Sequence, residues 1–151
     1  MMDRDARDRL AQAIRALAAG LITNDQFEGK RFSRIKTADL AISEIYQAGA
    51  CCLYPDEDDI RLKGEHALSR EGRAHVARWV FFLKTDLPYE WPTLNVPKMI
   101  VLSVANLVTL GLANRLYSNW SDKQGEVDVW PFIRHSDYAA ALERPVYLKS
   151  N

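Results

Sequence analysis

The sequence predicts a mainly α fold: a single domain over residues 1–151, built of about five helices and closed by an irregular C-terminal strap. Three observations carry that reading. Leu10, Ile14, Leu17 and Leu21 recur at spacings of four, three and four, which places them on one helical face. A segment opened by Ser69 contains "WVFFL" (Trp79–Leu83), apolar on every side, as a central helix requires. From Met99 to Asn114, sixteen positions pass without a charge, long enough for a core helix.

Each element has its own start and stop. In the first helix Asp3–Arg7, Arg4–Asp8 and Asp5–Arg9 are opposite charges at i,i+4, each worth a few tenths of a kcal/mol. Gly20 suits its C-terminal cap. Thr23 and Gln26 fit a capping box that restarts the chain as a second helix, which Gly29 keeps short. Thr37 is the expected cap of a third helix running through Tyr54, stopped by Pro55. A turn-rich connection follows, with a short extended piece at Ile60–Leu62. Ser69 caps the fourth helix, which reaches about Lys84. Pro88, Pro92 and Pro97 then exclude regular helix and central strand. The fifth helix spans 98–117. Beyond it, Ser136 is the expected cap of a short helix "DYAAALE", ended by Pro145.

The apolar stretch 99–117 raises the possibility of a membrane span, and its polar members argue against one. A spanning helix wants about twenty apolar residues. At about 100° per residue, Ser103, Asn106, Thr109 and Asn114 gather on one side, and Asn106 near the midpoint would be costly in lipid. A buried helix with a polar edge is the expectation.

Composition narrows the rest. Twenty basic residues balance twenty acidic ones, so no whole-molecule field gathers nucleic acid or anionic lipid. The two cysteines, Cys51 and Cys52, are neighbours. They form no disulfide framework and are expected to pack into the core. "MMDRDARDRL" has no apolar stretch of the secretory kind. Cytoplasm is the expected compartment, with no membrane contact.

Candidate chemistry is sparse. No GxSxG motif, glycine-rich phosphate loop or kinase signature occurs, so no catalytic residue and no cofactor is assigned. Glu71 and His75 share a helix face at i,i+4, and His66 or His135 could add a third metal ligand. That makes a small metal-dependent hydrolase the alternative reading. The run Asp56, Glu57, Asp58, Asp59 invites calcium. An EF-hand loop begun at Asp56, however, would place Ile60 at its fifth position and Arg61 where glycine must stand. It remains an acidic loop, suited to a basic partner. Lys30, Arg31, Arg34 and Lys36 flank Phe32, the composition of a nucleic-acid surface and a further alternative. In the proline-rich loop Tyr89, Glu90 and Trp91 combine large amphipathic side chains with a charge. Such residues anchor interfaces or seal a loop onto a core, and the same choice applies to Trp130 and Phe132.

Three stretches, "LAAGLITNDQFE", "ALSREGRAHVARWVFFLKTDLPYEWP" and "DVWPFIRHSDYAAAL", resemble a family of small bacterial proteins to which no activity is attached. The resemblance touches about a third of the chain and transfers no catalytic residue. What it implies is a class, that of partner proteins such as immunity or antitoxin proteins. The expected function is therefore non-catalytic binding of another protein, such as a toxin with a basic surface. Asp56–Asp59 would steer it, and Tyr89, Glu90 and Trp91 would supply contact area.

Overall fold

The computed structural model describes residues 2–29, 37–57, 59–91 and 125–143. The fold is mainly α, with no strand among the described residues. Five α-helices appear there: α1 (Arg4–Ala18), α2 (Asn24–Phe27), α3 (Leu40–Glu44), α4 (Arg70–Lys84) and α5 (His135–Glu143). The predicted helix over 98–117 and the basic run Lys30–Lys36 lie outside the described residues. Among the described residues no helix is long and apolar enough to cross a membrane.

α1 begins as a capped helix rather than as a ladder of ion pairs. The Asp3 side chain accepts the N–H of Ala6 at 3.0 Å, an N-cap, so it does not pair with Arg7. Of the three expected pairs only Arg4–Asp8 closes, at 3.3 Å; Arg9 instead donates to the Asp5 carbonyl. The helix ends as Gly20 predicts. With φ +63°, Gly20 donates to Leu17 O at 2.8 Å and Leu21 to Ala16 O at 2.9 Å, the two bonds of a Schellman motif. That reversal corrects one expectation: Leu10, Ile14 and Leu17 are buried, but Leu21 leaves the stripe and is 65% exposed.

The capping box opens α2 as expected, Thr23 and Gln26 satisfying each other's backbone donors. α3 departs from prediction. Its cap is Asp39, whose carboxylate accepts the Ala41 N–H at 3.2 Å, while Thr37 accepts the N–H of Asp39. The α-geometry lasts only to Glu44. The chain then widens into a π-helix, Ile45–Gly49, and tightens into a 3₁₀ turn, Ala50–Cys52. Gly49 explains where the widened turn fits: a Cβ there would stand 3.3 Å from the Trp79 ring. The cysteines separate as a result. Cys51 is half-buried against the core, whereas Cys52 is exposed, so only one packs as predicted. Ile60 and Leu62 are buried but belong to no strand, and a 3₁₀ turn, Gly64–His66, follows.

α4 runs as the sequence predicts. Ser69 Oγ accepts the Gly72 N–H at 3.0 Å, and Val76, Trp79, Phe81, Phe82 and Leu83 are buried. It packs against α1 so that the start of α1 meets the end of α4, where Lys84 pairs with Asp8 at 2.6 Å. The strap completes the core with Val129 and Phe132. α5 starts one residue ahead of Ser136, which lies inside it. Its first turn is organised by the Arg134 carbonyl and by Glu126, whose side chain accepts the His135 N–H at 2.9 Å.

One polar cluster ties these pieces together. Arg7, 1% exposed, gives Nε to Asp39 Oδ2 at 2.6 Å and Nη2 to Asp39 Oδ1 at 3.1 Å. Its remaining nitrogen donates to the carbonyls of Thr85 and Leu87, and the guanidinium lies 5.4 Å from the centre of the Phe82 ring. A planar fork with five donors can join α1, the cap of α3 and the exit of α4 at once. Burial alone would raise the Asp39 carboxyl. The bonds from Arg7 and from the Asp3 N–H outweigh that and hold it below its ordinary value.

Candidate functional site

The acidic loop is held by a residue that the sequence did not single out. Asn24, the first residue of α2, is buried, and it closes three bonds to the loop. Its Nδ2 donates to the Glu57 carbonyl at 2.5 Å, and its Oδ1 accepts the Ile60 N–H at 2.7 Å. Its own N–H donates to Ile60 O at 3.0 Å. The neighbouring Asp25 accepts the Asp59 N–H at 3.3 Å. Asp59 takes φ +57° there, a conformation that aspartate tolerates better than most residues. Asp56, Glu57, Asp59 and Asp25 are all exposed, and none of the four forms an ion pair among the described residues. Asp58 lies outside the described residues. The result is a fixed backbone carrying solvated carboxylates, with Asp25 joining the predicted set.

Behind this loop, Tyr54 donates to Glu28 Oε1 at 2.6 Å. Burial first, and then that bond, push its phenol well above the usual range, so it stays a neutral donor. Tyr46 stacks on Phe27 at 5.4 Å between ring centres.

The aromatic loop is fastened inward. The Tyr89 hydroxyl accepts Trp130 Nε1–H at 3.1 Å, and its ring meets Phe82 edge-on at 6.3 Å. Burial pushes the Tyr89 phenol up to about 12. Trp91 Nε1 donates to the Phe132 carbonyl at 3.0 Å. Its ring occupies the space a Cβ on Gly125 would need, 2.8 Å away. Tyr89 and Trp91 are thus half-buried anchors of the loop on the strap, and Glu90 is exposed between them.

The metal ligands suggested by sequence do not converge. Glu71 and His75 are exposed, the His75 ring lying 6.1 Å from that of Trp79, and His66 pairs with Glu65 at 3.6 Å. Among the described residues only Glu126, Asp128 and His135 bring three ligand atoms within 4.8 Å of one another, all exposed. Their bonds already have local roles. Glu126 caps α5, and Asp128 Oδ2 lies 2.6 Å from His135 Nε2. That bond holds the Asp128 carboxyl below its usual range. Arg78 donates to the Asp128 carbonyl. A helix N-terminus and an arginine both oppose a cation here.

No known protein family, curated protein or solved structure matches this chain. The functional reading rests on its own residues.

Proposed function

We propose that this chain is a non-catalytic, cytoplasmic protein-binding protein, most concretely an immunity- or antitoxin-like inhibitor, whose acidic loop engages a basic surface on its partner. The supporting observation is the Asn24 clamp. It ties the backbone at Glu57 and Ile60 to α2 while leaving Asp25, Asp56, Glu57 and Asp59 exposed. Pre-ordering a charged loop lowers the entropic cost of binding, and like-signed carboxylates on it raise the association rate with a basic surface. The exposed Glu90 and the outer edges of Tyr89 and Trp91 would add contact area.

Two variants test this on a partner recovered in stoichiometric amount from the native host. Neutralising Asp56, Glu57, Asp58 and Asp59 together to Asn and Gln should slow association at low salt and flatten its salt dependence. Unchanged kinetics and salt response would remove the surface from consideration. Asn24→Ala keeps every charge and frees the loop. It should cost about 1–3 kcal/mol in unfolding free energy, because the Ile60 N–H loses its buried partner. It should also weaken the complex through ordering cost, visible as reduced affinity with the salt dependence retained.

A further inference from the structure

We propose that the groove between α1 and α4 binds a free medium-chain fatty acid, its carboxylate held by Arg15 and Arg73 and its acyl chain laid along α4. The groove encloses about 700 Å³, within the size range of small-molecule sites. Ala18, Ala19 and Ala77 leave it open where larger side chains would fill the space between the helices, and Ala19 and Ala77 are exposed. Val80 and the buried Val76 and Phe81 continue the apolar wall.

Charge selects the occupant. Arg73, Ala77, Val80 and Lys84 follow at spacings of four, three and four, one continuous face of α4 about 16 Å long at 1.5 Å per residue. At one end of that face Arg73 donates only to the Leu68 carbonyl, and Arg15, facing the same groove from α1, has no ion-pair partner, both among the described residues. At the other end Lys84 is already neutralised by Asp8 at 2.6 Å. No carboxylate lines the groove among the described residues. Among the described residues that line the groove, Arg15 and Arg73 are therefore the cations left without a carboxylate. That pair is complementary to a single anionic head with an apolar tail. An acidic helix from a partner protein would present several carboxylates, more than two unpaired cations among the described residues can match.

The test is titration calorimetry of the full chain with dodecanoate below its micelle concentration, beside dodecanol and dodecyltrimethylammonium. Dodecanoate should bind saturably at one per chain and more tightly than either comparator. The double variant Arg15→Gln, Arg73→Gln should weaken it about tenfold or more, as expected for loss of charged hydrogen bonds, with little change in Tm because both side chains are exposed. Ala77→Leu should lower uptake while Tm holds. The proposal falls if dodecanoate shows no saturable uptake, if dodecanol binds equally well, or if the Arg15 and Arg73 variant binds as the parent does. It falls equally if an acidic amphipathic peptide or phosphatidylglycerol vesicles bind where free dodecanoate does not.

Discussion

Arg7→Met is expected to destabilise the fold by about 3–5 kcal/mol, the cost of breaking a buried ion pair from one side. The side chain it removes is matched at every nitrogen by Asp39, Thr85 and Leu87. Without it the Asp39 carboxylate, 3% exposed at its side chain, is buried and charged with no counter-ion. Methionine retains most of the packing against Phe82, so the loss is electrostatic rather than a cavity. Asp39→Asn in the same background should recover part of the cost, since no unpaired charge then remains. The recovery is incomplete because the amide keeps only one of the two oxygens that accept the Asp3 and Ala41 N–H groups. Urea denaturation of the four chains of that cycle gives the coupling energy, and additive effects would show that the pair is not coupled.

The same pair fixes an acid limb of stability. Burial opposes the charged form of Asp39, yet the Arg7 and backbone bonds prevail and hold the folded carboxyl below its ordinary 3.8. A carboxyl depressed on folding stabilises the native state fully above its unfolded pKa, and that contribution is lost as pH falls through the folded value. Stability should therefore decline below about pH 4. Asp8, also depressed through Lys84 and Arg4 although burial opposes it, contributes to the same window. Asp39→Asn should flatten the decline in ΔG against pH. A parallel curve would assign the acid limb elsewhere.

What the sequence could disclose followed the range of the interactions involved. Caps and helix ends are local chemistry. Ser69 on α4, the Thr23–Gln26 box and the Gly20 reversal were all legible, because each partner lies within a few residues. Long-range competition decided most of the misses. Asp3–Arg7 has the i,i+4 spacing of a helix ion pair, but Asp39, 32 positions away, takes the guanidinium and leaves Asp3 to cap α1. Thr37 yields α3 to Asp39 within the same turn, where two good capping residues stand two positions apart and local pattern alone does not choose between them. Glu126 replaced Ser136 at the start of α5 from nine residues upstream. At the candidate surface the carboxylates were visible as composition. The clamp was not, because Asn24 meets Glu57 and Ile60 across 33 and 36 positions, and no local pattern marks it. The inward bonds of Tyr89 and Trp91 to the strap, each 41 positions away, were hidden in the same way.

Phe132→Ala is expected to cost about 3–5 kcal/mol, the range for truncating a buried aromatic, and it asks whether the strap belongs to the core. Phe132 is 1% exposed. Its ring centre lies 5.1 Å from Phe82, 5.1 Å from Tyr138 and 5.9 Å from Phe81, so one side chain joins α4, α5 and the segment between them. The hydrogen bond from Trp91 goes to the Phe132 carbonyl and survives the substitution, which confines the change to transfer energy and residual cavity. Phe132→Leu should cost much less, because it preserves most of the buried apolar volume. Denaturant unfolding with an unchanged m-value would assign the loss to native packing. If Phe132→Ala instead costs less than about 1 kcal/mol, the site collapses freely, and residues 125–143 lie on the core without closing it. A large cost combined with a reduced m-value would mean that the strap detaches as a unit, a local opening rather than a uniform loss. Hydrogen exchange would then show faster exchange confined to α5 and the 126–133 turn while α1 and α4 keep their protection.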